Sequence, residues 1–386
     1  MKLPKSLNKE VVLLGVLIFI LSLGQLQRIA VPWGAQYAHE LVLFFYLFTK
    51  RKVYARILLK TWKESRTNTK ILVALIISGV LLQSFTSGDQ RGLLLTFRAF
   101  LYTSTAWTIY LSVATKQKEL LRLFLLTSGV VMAIMGVIQY LFLPDMRFLA
   151  VLGWDDHYYR AIGSMLDPNY FGILLVLTLA NLWSWGKRIP AKLTIALTVL
   201  LSMTIAATIS RATFLAVTIF FVTQFLRNKK IVSLAAGILL ITLLALPKPT
   251  GEGVDLLRTS SINSRISHDQ EALGGFELNP IKMLFGTGLF SSVHPSTFAD
   301  KSIDHGLQAN NIFVFLYQGI GLVGMLLLLP ILLKDYKIVY QKEHIIAFAL
   351  VALLVHAQFN NSFFEPIVFS YWVLLVATLK KTTTEK

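Results

Sequence analysis

Long apolar runs separated by short polar connections dominate this chain. A helix needs about 20 apolar residues to cross the roughly 30 Å of hydrocarbon in a bilayer, and fewer where its ends are interfacial. The runs lack the alternation of apolar and polar residues that the strands of a membrane barrel require, so helices are favoured. We predict twelve transmembrane helices, at residues 11–27, 31–49, 71–85, 93–115, 122–143, 169–186, 193–210, 212–226, 231–247, 310–333, 345–363 and 366–380.

The composition agrees with a membrane protein and excludes a soluble domain. Hydrophobic residues make up 55% of the chain, charged residues 15%, and the mean hydropathy is +0.64. The predicted fold is therefore all-α, with residues 1–386 forming a single polytopic membrane domain. The chain has no cysteine, which excludes disulfides and thiolate metal sites.

Lys and Arg lie mainly in clusters before the first predicted helix and at every second connection afterwards. Such clusters mark connections that stay in the cytoplasm. They lie within residues 2–9, 50–70, 116–122, 187–192, 227–230, 334–342 and 380–386. Topology thus accounts for the formal net charge of +17 without a nucleic-acid partner, and both termini are predicted to be cytoplasmic.

The basic residues assigned to the opposite side of the membrane are mainly arginines. Arginine is the better bidentate partner for phosphate and carboxylate, so this face suits an anionic substrate. Pairing with nearby aspartates is the alternative for each arginine taken singly. The arginines of interest are Arg98, Arg160, Arg211, Arg258 and Arg265.

One connection, residues 248–309, is far longer than the others and collects polar side chains. A loop this long inside a compact domain is usually functional or disordered. It contains Asp304 and His305 in addition to two of the arginines. We predict a long extracytoplasmic loop that carries part of an active site, with one or two short helices, one of them at residues 281–285.

No motif in the sequence indicates a cofactor or a metal ion. Gly319, Gly321 and Gly324 match a dinucleotide pattern, but they lie in an apolar run with no preceding strand, so close helix packing explains them better. The histidines and aspartates of the long loop lack a recognisable ligand spacing. Neither a cofactor nor a metal ion is therefore predicted. His356, alone on the eleventh apolar run, is predicted to hydrogen-bond between helices.

Three local patterns together resemble the O-antigen polymerase and O-antigen ligase superfamily of bacterial membrane glycosyltransferases. The first is the segment 163–170, Gly-Ser-Met-Leu-Asp-Pro-Asn-Tyr, and the second is the segment 208–212, Thr-Ile-Ser-Arg-Ala. The third is the long loop, in which Arg265 precedes Gly286-x-Gly288 and the segment 310–313, Asn-Asn-Ile-Phe. The resemblance covers about residues 160–330 and implies a GT-C-like fold.

The resemblance implies an enzyme in the bacterial cytoplasmic (inner) membrane whose active site faces outward. Its substrate would be an oligosaccharide on undecaprenyl diphosphate, transferred to a second lipid-linked unit by an inverting, metal-independent reaction. Such a transfer needs cations for the diphosphate and a base for the acceptor hydroxyl. We assign the diphosphate to Arg211 and Arg265, then to Arg160, Arg258 and Arg98, and the base to His305, Asp304 or Asp156.

Two alternatives stay open. A ligase would move the finished glycan to a lipid or protein acceptor with the same fold, but Asn310 stands where the ligase branch usually has histidine. A polysaccharide flippase or transporter would also have many helices, although broken helices in two matching halves are not evident. A chain-length regulator or a flippase as a protein partner is compatible with the polymerase hypothesis.

Overall fold

The structure is a computed structural model. It describes residues 9–31, 34–87, 90–152, 154–247, 254–256, 260–274, 279–290 and 309–380. The chain is mostly helical, as the apolar runs predict. The amino-terminal half contains α1 (Lys9–Ser22), α2 (Ala38–Thr49), α3 (Arg51–Glu64), α4 (Thr67–Ser87), α5 (Arg91–Ser112), α6 (Thr115–Phe142) and α7 (Pro168–Ser184). The carboxyl-terminal half contains α8 (Ala191–Ala207), α9 (Arg211–Phe225), α10 (Lys229–Ala245), α11 (Ser260–Gly274), α12 (Pro280–Phe285), α13 (Ile312–Lys342), α14 (His344–Asn360) and α15 (Pro366–Ala377).

A helix overlaps each of the predicted apolar runs, although α6 begins seven residues before its run and α13 continues nine residues past its run. By length and composition, three of the helices that the structure describes can cross a membrane: residues Thr67–Thr86 of α4, then α6 and α13. Shorter apolar helices are found in α1, α2, α8, α9, α14 and α15. Both the helical class and a membrane-embedded character therefore agree with the sequence.

The first two apolar runs are less helical than predicted. α1 ends at Ser22, a 3₁₀ turn covers Gly24–Gln27, and strands β1 (Arg28–Val31) and β2 (Gly34–Tyr37) form an antiparallel hairpin before α2. The predicted end of the first helix at residue 27 and the predicted start of the second at residue 31 were wrong. A short apolar segment is compatible with a strand as well as with the end of a helix. Gly24 has φ +53°, and a Cβ there would lie 2.4 Å from the backbone oxygen of Ser164.

Two other connections are more ordered than predicted. The basic connection after α2 is the helix α3, none of whose residues is buried. The long loop contains α11 and α12, the second of which matches the helix predicted at residues 281–285. Residues 286–290 after α12 pack against α4 and α13, where the Thr287 N–H donates to the Gln318 oxygen at 2.8 Å.

Helix α7 lies at the centre of the bundle, because it is apolar on all sides and is buried from Phe171 to Ser184. It packs against α6, α8, α9, α14 and α15. Gly172 permits the close approach of α9: a Cβ at this position would lie 2.2 Å from Oγ1 of Thr213. The amino-terminal part of α7 is thereby fixed against the first turn of α9.

Polar connections gather at two ends of the bundle. At one end, which we call the loop end, the connections after α1, α6, α8, α10 and α14 contact one another. The Ser164 hydroxyl donates to the Ser22 oxygen at 2.8 Å, and the Ala161 N–H donates to the Ala207 oxygen at 2.8 Å. The other end holds ion pairs, among them Lys50 with Glu10 at 2.8 Å.

Candidate functional site

Arg160 is buried in the connection between α6 and α7, at the loop end. Its Nε donates to the Thr208 backbone oxygen at 3.0 Å, and Nη2 reaches the Ile209 oxygen at 3.5 Å. The guanidinium therefore lies against the turn between α8 and α9. Arg211, one of the two first-choice candidates for the diphosphate, begins α9 directly after that turn.

The first two motifs of the family resemblance are in direct contact. Ser210 caps α9 by accepting from the Thr213 N–H at 3.3 Å, and its hydroxyl donates to Oδ1 of Asn169 at 2.8 Å. Asn169 lies in the first turn of α7. Next to the cap, partly buried Arg211 donates through Nη1 to the Leu256 oxygen at 3.5 Å. The start of α7, the start of α9 and the long loop thus meet at one place.

Arg265 brings the third motif to the same region. Its Nη2 donates to Oδ1 of Asn360, the last residue of α14, at 2.8 Å. The Tyr170 hydroxyl donates to the Asn360 backbone oxygen at 3.0 Å, which links α11 to the start of α7 through one asparagine. Asp269 accepts from the Asn310 N–H at 2.9 Å, so α11 is also joined to the start of α13.

Strained backbone adjoins these contacts. Residues other than glycine rarely adopt a positive φ, and such residues concentrate where function requires a fixed geometry. Four of them stand directly beside Arg160, Asp167, Ser210 and Asn360. They are Tyr159 (φ 50°), Leu166 (φ 53°), Ile209 (φ 49°) and Asn361 (φ 42°).

Buried polar atoms without a hydrogen-bond partner among the described residues occur at the same end. They include Nδ2 of Asn360, Oδ1 of Asn361 and Nε2 of His157. Buried polar groups in proteins are normally satisfied by protein, water or ligand. A ligand rich in hydroxyl or phosphate oxygens could satisfy groups of this kind.

Asn360 and Glu365 are site residues that the sequence analysis missed. Glu365 is buried at the start of α15, where its carboxylate accepts from the Gln25 Nε2 at 2.9 Å and from the Val368 N–H at 2.7 Å. Burial raises the pKa of Glu365 to about 7. A signal was present, because residues 360–365 interrupt the last two apolar runs with two asparagines and a glutamate.

The connection between α6 and α7 holds two further titratable groups. Asp156 is exposed, whereas the next residue, His157, is buried. Burial lowers the pKa of His157, and the nearby Asp167 carboxylate opposes that effect. The imidazole is therefore favoured in its neutral form, which can accept a proton or bind a metal ion.

The other candidates stand apart from this region or lie outside the described residues. Arg98 forms an ion pair with Glu40, donates to the Ala35 oxygen and lies over the Tyr37 ring at 5.3 Å. Protein partners therefore account for Arg98. Arg258, Asp304 and His305 are outside the residues that the structure describes.

His356 has the interhelical role that was predicted for it. Its Nδ1 lies 2.8 Å from the Ser362 hydroxyl, and its Nε2 lies 3.4 Å from Oγ1 of Thr213 on α9. The histidine thereby connects the end of α14 to the cap of α9. The Thr213 hydroxyl in turn donates to the Ser210 hydroxyl at 3.0 Å, so His356 supports the cap of α9 from inside the bundle.

Three arginines thus lie on elements that meet at the loop end: Arg160 contacts the turn before α9, Arg211 begins α9, and Arg265 contacts the end of α14. The Ser210–Asn169 and Tyr170–Asn360 contacts connect these elements to the start of α7. The arrangement can hold an anion with several oxygens, and Glu365 adds a carboxyl group whose pKa is close to neutral.

Comparisons of the chain with protein-family models, curated proteins and solved structures found no match.

Proposed function

We propose that this chain is a membrane glycosyltransferase that polymerises oligosaccharide repeat units carried on undecaprenyl diphosphate into a surface polysaccharide. The observation that carries the proposal is the meeting of three motifs that are far apart in sequence. Ser210 contacts Asn169, and Arg265 reaches the same corner of α7 through Asn360 and Tyr170. Motifs that merely resembled a family by chance would have no reason to converge.

The charge at the loop end suits a diphosphate. Arginine binds phosphate oxygens bidentately, and fixed cations stabilise the charge that develops on a leaving diphosphate. We assign Arg211 and Arg265 to this role, with Arg160 beside them. Arg160 and Arg211 donate to backbone oxygens and Arg265 donates to an amide oxygen, and these contacts hold the guanidinium groups in place.

The distribution of lysines supports an outward-facing loop end. The lysine-rich clusters fall at the opposite end, where Lys50 and Lys380 form ion pairs with Glu10 and Glu119. Because such clusters are retained in the cytoplasm, the loop end would face the outside of the bacterial cytoplasmic membrane. We extend this to twelve crossings, with both termini in the cytoplasm.

In the proposed reaction, an acceptor hydroxyl attacks the anomeric carbon of the lipid-linked glycan. The bond from that carbon to the diphosphate oxygen breaks as the new glycosidic bond forms, and the undecaprenyl diphosphate leaves. A base takes the hydroxyl proton; Glu365 joins His305, Asp304 and Asp156 as a candidate, since a base with a pKa of about 7 is efficient at neutral pH.

The experiment compares purified wild-type protein with Arg211→Lys and Arg265→Lys in detergent, using lipid-linked repeat units. Lysine keeps the charge but loses the bidentate geometry, so we expect turnover to fall by at least about tenfold. Arg147→Lys is the matched control, because Arg147 is exposed and paired with Asp145 at 2.6 Å. Product length on the carrier is read by gel and mass spectrometry.

Three outcomes separate the alternatives. Longer glycan on the carrier, lost in both variants and kept in the control, supports the polymerase. Transfer of glycan to a lipid or protein acceptor without elongation would identify a ligase. Unchanged lipid-linked units with every acceptor would contradict an enzyme, and transport of the same units across vesicles would then be measured.

A further inference from the structure

We infer that Asp155, His157 and Asp167 form a binding site for a divalent transition-metal ion, Mn²⁺ or Zn²⁺, at the loop end. One ligand atom from each of the three side chains lies within 4.8 Å of the other two. Side chains that bind one metal ion through bonds of about 2.0–2.2 Å bring their ligand atoms to within about 3–4 Å of each other. The three groups therefore need only a small adjustment to share an ion.

The local backbone brings two of the ligands to one side. The Met146 N–H donates to the His157 oxygen at 2.8 Å, and Tyr158 forms an antiparallel bridge with Asp145. Asp155 and His157, two residues apart, each contribute a ligand atom to the group, whereas Asp156 between them does not belong to it.

His157 supplies an independent reason to expect a ligand. The residue is 6% exposed, and its Nε2 has no hydrogen-bond partner among the described residues. The ring nevertheless places a nitrogen close to two carboxylates. A buried imidazole nitrogen without a hydrogen-bond partner is unusual unless water or an ion completes it. A metal ion bound through Nε2 would satisfy this atom.

Asp167 is held in place for such a role. As the cap of α7, it accepts from the Asn169 and Tyr170 N–H groups at 2.7 and 2.8 Å, and both bonds go to Oδ1. Oδ2 is therefore the oxygen that can face a cation. Hydrogen bonds that orient a ligating carboxylate in this way are a regular feature of metal sites.

The electrostatic balance of the site favours a cation. Three carboxylates, those of Asp155, Asp156 and Asp167, act on His157 from nearby, together with the positive charge of Arg160, while Arg147 acts on Asp156. The guanidinium of Arg160 is directed at the Thr208 and Ile209 oxygens. One imidazole with two carboxylates suits Zn²⁺ or Mn²⁺ better than Mg²⁺ or Ca²⁺, which prefer oxygen ligands alone.

Three protein ligands leave coordination positions open for oxygen atoms of a substrate. We assign those positions to the diphosphate of the lipid carrier, a role that rests on the proposed function. The ion would then supplement Arg160 in holding the leaving group. This departs from the metal-independent transfer that the family resemblance implies.

The test measures metal binding itself, with no glycan present. Full-length protein in detergent is stripped with EDTA, transferred to chelator-free buffer, and titrated with Mn²⁺ and with Zn²⁺ by calorimetry, with Mg²⁺ for comparison. We expect one site in wild type that weakens at least about tenfold in His157→Gln and in Asp155→Asn. Asp156→Asn is the matched control, with the same change of charge one residue away, and it keeps the site. Asp155 is exposed, so its variant is expected to fold even if the histidine variant does not.

Cobalt substitution gives a second readout. Co²⁺ bound by nitrogen and oxygen ligands shows visible absorption bands that change when the nitrogen ligand is lost, so His157→Gln should alter the spectrum. The inference is overturned if wild type and Asp155→Asn bind Mn²⁺ and Zn²⁺ equally, or if Asp156→Asn loses as much affinity. Metal binding without glycan elongation would leave the metal site standing and contradict the proposed function. Elongation without metal binding would contradict the metal site and leave the proposed function standing.

Discussion

Arg265 donates from Nη2 to Oδ1 of Asn360 at 2.8 Å, and this contact joins α11 to the end of α14. The two residues are 95 positions apart in the chain. The amide of Asn360 does not itself offset the positive charge of Arg265, whereas a carboxylate in the same place would do so. Asn360 therefore orients the arginine and, under the proposed function, does not compete with the diphosphate of the substrate.

Asn360→Asp is expected to separate stability from activity. The new carboxylate would form an ion pair with Arg265, so the melting temperature in detergent should stay within a few degrees of wild type. Glycan elongation should fall by at least about tenfold, because the paired guanidinium no longer stabilises the diphosphate. Asn360→Gln, which keeps an amide, serves as the control for the change of side chain. Full activity in Asn360→Asp would mean that Arg265 does not contact the substrate.

Asn361 tests whether the backbone at the loop end is strained. It ends α14 with φ 42° and ψ 36°, a left-handed conformation that asparagine tolerates and a β-branched residue does not. Asn361→Val should lower the free energy of unfolding by about 1–2 kcal/mol, and Asn361→Gly should leave it unchanged or raise it. Denaturation in detergent, followed by tryptophan fluorescence, measures both. Equal stability of the two variants would show that the conformation is not a constraint.

Helix positions could be predicted from the sequence because each helix of the bundle corresponds to a long run of apolar residues. Asp167-Pro168 and Ser210 mark helix starts by their chemistry, and the structure caps α7 and α9 at those residues. The β1–β2 hairpin was missed since its residues are as apolar as a helix end. Asn360 was missed for another reason: its importance comes from contacts with Tyr170 and Arg265, and an apolar pattern reports burial but not which distant residues meet.

Glu365 predicts a dependence of stability on pH. Its pKa is raised from 4.5 to about 7 by burial, so the folded state binds the proton more tightly than the unfolded state. The protonated carboxyl group therefore makes its full contribution to the free energy of unfolding below pH 4.5. This contribution, about 3 kcal/mol, is lost as pH rises through 7. Melting temperatures across this range should fall more steeply in wild type than in Glu365→Gln, which has no such titration. Parallel curves for the two proteins would exclude a buried, titrating Glu365. Gln25→Glu is not a suitable control, because it would place a second carboxyl group at 2.9 Å.

The contact between α7 and α9 supports the site from within the bundle. Gly172→Ala would place a methyl group 2.2 Å from Oγ1 of Thr213, whose hydroxyl bonds the Ser210 cap at 3.0 Å. We expect a loss of about 1–3 kcal/mol in stability, as for other overpacked cores, together with reduced elongation because Ser210 is displaced from Asn169.

Gly237→Ala in α10 is the matched control, since no atom lies within 4 Å of its added Cβ, and it should stabilise by up to about 1 kcal/mol. The double variant Gly172→Ala with Thr213→Ala removes the two shortest contacts, to Oγ1 and Cγ2, and leaves the Cβ of residue 213 at 2.9 Å. It should therefore recover part of the stability lost in Gly172→Ala. If Gly172→Ala behaves like Gly237→Ala, the two helices are further apart than described, and the convergence of the Ser210 and Asn169 motifs loses its structural basis.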